Sequence, residues 1–201
     1  YAIKKIKDSF SRALPTHIHT ALKEWALVTQ KKMASPLDHN PQYQHYWSTD
    51  PRDTLFGAHH NSLSSRYSRF SVCHPIYTEG AMTQALRHAI YSTILNTAAT
   101  ATFMFLSVWG QHMVTNPYSK LITAYPHLCC ELGTIDRTNF CYNNPQSFFN
   151  QEIPLSQHTW DLQIIAVWNI AARIHLNKHN PDCLQGLATA VSKVKWKIQS
   201  L

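Results

Sequence analysis

The chain has 201 residues, with 18 Lys and Arg against 11 Asp and Glu, a formal charge of +7, and 13 His. That length supports one domain with a genuine core, and a hydrophobic share of 44% excludes a disordered chain. The few acids are scattered, and the sequence carries no Walker, G-x-G-x-x-G, G-x-S-x-G or H-E-x-x-H pattern, so the enzyme classes those motifs mark are excluded.

Scarce glycine (5) and long apolar patterns predict an all-α fold: a long central helix, read as transmembrane, with shorter amphipathic helices and a long irregular aromatic-rich segment. Residues 1–34 read as N-terminal amphipathic helices. Ile3, Ile6, Phe10 and Leu14 line the first. Pro15 and Thr16 open a second over 17–34, with Ile18, Leu22, Trp25 and Val28 as its stripe and Lys31 and Lys32 at its C-terminal end. Residues 35–77 hold Pro36, Pro41, Pro51 and Pro75 and no sustained period, which predicts an extended arm lying across a partner. Its aromatic and Arg residues Tyr43, Tyr46, Trp47, Phe56, Arg66, Tyr67, Arg69 and Phe70 are the candidate interface, being of the types that anchor interfaces.

Residues 88–119 contain no Asp, Glu, Lys or Arg. Within 78–115 this predicts the central helix, over about 89–114. It is long enough for a bilayer core of roughly 30 Å, with hydroxyl-bearing residues on one side and Ile94, Leu95, Phe105, Leu106 and Trp109 on the other. The alternative is a helix buried at the centre of a bundle. Residues 116–155 read as loop. Residues 156–201 read as a helical hairpin, its first helix over 156–177 and its second started by Asn180-Pro181-Asp182. Leu184, Leu187, Val191, Val194, Ile198 and Leu201 form the second helix's seam.

Five Cys, an odd number, do not make a complete disulfide framework. His127, Cys129, Cys130 and Cys141 have the residue types of a zinc site but not its C-x2-C spacing. A Cys130–Cys141 disulfide is the alternative use of that cluster. His88 and His112 lie near opposite ends of the central helix, and Cys73-His74 is adjacent in sequence only. No catalytic, cofactor or metal site is expected.

The expected function is a non-catalytic accessory subunit of a large organellar membrane complex, of mitochondrial respiratory-chain or ATP-synthase type, in the inner membrane. Its partners would be protein subunits and membrane lipid. The start at Tyr1 rather than Met predicts a processed chain or a fragment. The second expectation is a soluble basic helical protein of an organellar ribonucleoprotein such as a mitochondrial ribosome, with nucleic acid as partner.

Overall fold

In the computed structural model the described residues are 14–36, 38–108, 117–137, 141–142, 156–157, 160–190 and 194–196. They form a mixed sheet with helices packed on it. In chain order the elements are α1 (Thr16–Ala26), β1 (Gln30–Lys32), β2 (His45–Ser48), a 3-10 helix (Pro51–Phe56), β3 (His59–His60), β4 (Phe70–Cys73), α2 (Glu79–Leu95) and β5 (Ala101–Val108). There follow α3 (Pro117–Ala124), β6 (Cys129–Ile135), β7 (Cys141–Tyr142), β8 (Ser156–Gln157), β9 (Asp161–Trp168), α4 (Ile170–His179), α5 (Cys183–Ala190) and β10 (Val194–Trp196).

The main sheet runs β10-β6-β9-β5-β4-β1-β2-β3, and β7 and β8 pair separately. β3, β2, β1, β4 and β5 are mutually parallel. β9 lies antiparallel between β5 and β6, and β10 is antiparallel on the β6 edge. The fold is therefore α/β and not all-α. α2 makes the crossover from β4 to β5, as a parallel pair requires.

The central-helix reading is the largest correction. The helix starts at a proper cap, Thr78 Oγ1 accepting from the Ala81 amide, and ends at Leu95, with Asn96 already extended. Residues 101–108 are β5, flanked by β4 and β9 and buried along nearly its whole length. A strand covered on both faces has no polar face to show, so its apolar run loses the period of two and resembles a buried helix. Among the described residues no helix is long and apolar enough to cross a membrane. This removes the transmembrane span and the inner-membrane location inferred from it. Trp109 and the rest of the expected span to 114 lie outside the described residues.

Two further helices are also corrected. The expected helix over 17–34 stops at Ala26, with Leu27 left-handed at φ 56°, and Gln30–Lys32 is a strand. The expected helix over 156–177 is β9 for most of its length, and α4 begins only after Asn169, whose side chain caps it through the Ala172 amide. Leu184 and Leu187 of the expected seam are buried on α5, but α5 packs on α1. Val191, Ile198 and Leu201 lie outside the described residues, as does the first helix except Leu14, which is buried.

Candidate functional site

In an open α/β sheet, ligands bind outside the carboxyl ends of the strands, at the point where the strand order reverses. That point is β1. The chain leaves it toward β2 and β3 on one side and returns as β4 on the other, so Lys31 pairs with both Tyr46 and Val72. The carboxyl ends of β1, β2 and β4 lie side by side there.

β1 presents its two lysines to opposite faces, and both are fully buried. Lys31 has a partner: its Nζ donates to the Asp38 carbonyl and lies 3.7 Å from the Asp38 carboxylate. Asp38 in turn accepts from the amide and hydroxyl of Ser35, which closes the turn leaving β1. Burial lowers the Lys31 pKa, and Asp38 opposes that shift.

Among the described residues the Lys32 Nζ has no hydrogen-bond partner. The amine lies 3.0 Å from the centroid of the Trp47 ring and 5.3 Å from that of Tyr67, so aromatic faces are what it meets. Burial brings its pKa down to about 7. Its neighbour in register, Cys73, is the last residue of β4, and burial pushes that thiol up to about 12, so it is not a nucleophile as it stands. Tyr67 closes this face, its amide held by Ser92 Oγ at 3.0 Å and its hydroxyl 3.3 Å from Ser62 Oγ.

The loop after β4 carries His74 and Tyr77, both buried and bonded through His74 Nε2 and the Tyr77 hydroxyl, with Ile76 exposed between them. On the Lys31 face, His19 Nδ1 bonds the Tyr43 hydroxyl at 2.8 Å, and burial depresses the His19 pKa to about 3.

The turn after β1 does not suit a dinucleotide phosphate. No glycine lies between β1 and Gly57, and Met33 itself takes φ 56°. No helix follows β1 directly to offer an amino terminus to a phosphate. The acids after β2 are engaged: Asp50 holds the Arg52 guanidinium, and Asp53 accepts from Ser48 at 2.5 Å.

The eight candidate interface residues are divided by the structure. Tyr43, Tyr46, Tyr67 and Phe70 are buried, and Trp47 is half-buried, stacked on His59 with centroids 4.6 Å apart. Phe56, Arg66 and Arg69 are exposed. Cys129 and Cys130 are free thiols, and among the described residues no group of three His, Cys, Asp or Glu is arranged to hold a metal. The Cys141 side chain and His112 lie outside the described residues. His88 bonds the Ser65 carbonyl at 2.8 Å.

The residue reading missed Lys31 and Lys32 as site residues, because cations at a helix end need no further account. A usable signal was present: two adjacent lysines inside the apolar run 26–34, where a strand must bury at least one of them. Comparison with known proteins finds no family and no curated protein that matches the chain.

Proposed function

We propose that this chain is a methyltransferase-like Rossmann domain that works by binding within a protein assembly and not by catalysis. Counting β1 to β6 and then β9 as the seventh strand, the sheet reads 3-2-1-4-5-7-6 with the seventh antiparallel, and β10 adds an eighth strand beyond β6. That strand order is the one of the adenosylmethionine-dependent methyltransferases. It is a likeness of fold and carries function only if the site agrees.

The site fits adenosylmethionine poorly. That ligand bears a positive sulfonium, and the carboxyl end of β1 holds a buried lysine amine with no hydrogen-bond partner among the described residues, charged once pH falls below about 7. Two like charges in a low-dielectric site repel strongly. Lys31, the neighbouring lysine, points to the opposite face and is paired with Asp38. The unpartnered Lys32 amine at the carboxyl end of β1 is the observation that carries the non-catalytic reading.

Calorimetry with adenosylmethionine and with adenosylhomocysteine, which lacks the sulfonium charge, tests it. We expect no binding of the first at millimolar concentration. Micromolar binding of adenosylmethionine, with methyl transfer to RNA or protein, would overturn the reading.

A further inference from the structure

The amino edge of the sheet, opposite the carboxyl end of β1, is assembled by Asn169. Its Nδ2 donates to the carbonyls of Asn96 (3.0 Å) and Ala98 (2.8 Å), and its Oδ1 accepts from the amides of Thr100 and Ala172. Asn96 Nδ2 donates to the Tyr67 carbonyl at 2.8 Å. Three segments thus meet: the end of α2, the start of α4 and the approach to β4.

Large apolar side chains stand out from this edge, uncovered by the described residues. On α4 the buried face is Ala172 and Leu176, while Ile170 and Ile174, one turn apart, are 75% and 63% exposed. At the end of α2, Tyr91, Ile94 and Leu95 are exposed as well. Ile170 and Ile174 make an exposed apolar strip along α4, of the kind that marks an interaction site.

The three segments that meet here, up to Asn180, carry charge of one sign. Residues 61–72, 88–100 and 169–180 contain Arg66, Arg69, Arg173 and Lys178 and not one Asp or Glu.

We propose that this edge docks an acidic amphipathic segment of a partner protein, its apolar side chains on Ile170 and Ile174 and its carboxylates on the arginines. This deepens the binding reading above and rests on it. Three of the four cations are arginines, whose planar forks match carboxylates. A second copy of the chain fits badly, because a two-fold interface would bring these arginines against their own counterparts. Nucleic acid is served less well, since Tyr91 alone among the five exposed apolar side chains offers a stacking face.

The test is fluorescence anisotropy on the full chain with a labelled helical peptide bearing leucines along one side and glutamates elsewhere. The controls are the same peptide with lysines for glutamates, a single-stranded RNA, and phosphatidylcholine vesicles containing phosphatidylserine. We expect the glutamate peptide to bind and the lysine peptide not to. We expect Ile170→Ser with Ile174→Ser to weaken binding about tenfold or more, which is about 1.4 kcal/mol. Arg66→Glu with Arg69→Glu should weaken it and flatten its salt dependence. The four substituted side chains are all exposed, and unchanged thermal unfolding is the folding control. Equal binding of both peptides, binding undiminished by either variant, preference for RNA or vesicles, or self-association lost in the isoleucine variant would each overturn the proposal. Failure here leaves the calorimetric result at the β1 end untouched, so the two readings fail separately.

Discussion

An amine held at the end of β1 with only aromatic rings for company makes stability depend on alkaline pH. The Lys32 pKa is about 7 in the folded chain against 10.5 when exposed. Between those values the unfolded chain holds a proton that the native chain has released, so the Lys32 contribution to stability rises with pH from 7 toward 10.5, opposed above pH 9 by buried thiols such as Cys73, whose raised pKa has the reverse sign. The full span is on the order of 5 kcal/mol at about 1.4 kcal/mol per pKa unit, an upper figure. Lys32→Met keeps the length and removes the charge. We expect it to raise the unfolding free energy at pH 7 by about 1–3 kcal/mol and to flatten the alkaline rise, measured by urea denaturation at two pH values. A loss of stability at pH 7 would mean that the amine has a partner. His19 acts in the acid range. Its pKa of about 3 lies below the ordinary 6.5, so the unfolded chain takes up the extra proton as pH falls below 6.5. Stability should drop by about 2 kcal/mol between pH 7 and 5. His19→Phe should lower the baseline, because Tyr43 loses its partner, and remove most of that slope.

Helix α5 is held to α1 by the absence of a side chain. A Cβ at Gly186 would fall 2.0 Å from Cε3 of Trp25. Alanine in a helix gains about 1 kcal/mol over glycine, but displacing a packed indole costs about 1–3 kcal/mol. Gly186→Ala should therefore destabilise, and Trp25→Leu in the same chain should recover most of the loss, as thermal unfolding would show. In β5, Phe105→Ala should cost about 3–5 kcal/mol, because the ring is buried in the middle of the sheet. The importance of this stretch was legible from residues 88–119, which lack charge because β5 is covered on both faces. Its type was not legible: Thr100 to Val108 has neither period, and the helix break at Asn96 has no Pro or Gly to announce it. The exposure of Ile170 and Ile174 was not legible, since spacing gives a helix an apolar side but does not say whether this chain covers it. The α4 cap at Asn169 follows β9 directly, and the tryptophan and isoleucines of that strand merged with the helix into one apparent pattern.

At the scale of the molecule, the order of the strands sets where stability is concentrated. β5 and β9 are paired on both sides, whereas β3 and β10 are edges. Amide exchange should be slowest over 101–108 and 161–168 and fast over the 3-10 helix Pro51–Phe56, where no residue is buried. Comparable protection across 89–114 as one helical block would contradict the sheet. The site itself was not legible from sequence, because it exists only once β4 has returned beside β1. Lys32 and Cys73 are partners in register although they are far apart in the chain. The two faces of the molecule then have separate characters: cations closed inside at the carboxyl end, and apolar side chains with arginines open at the amino end.

The position of β9 also bears on how the protein is made. It enters the sheet between β5 and β6, both of which precede it in the chain. While a ribosome is still emitting residues 136–160, neither strand has its final neighbour, and β5 exposes an unpaired row of backbone groups beside Phe103, Phe105 and Leu106. Such an open apolar edge recruits other chains. A nascent chain stalled before Asp161 should be a strong client for chaperones, and refolding from urea should lose yield steeply with concentration until β9 has closed the gap.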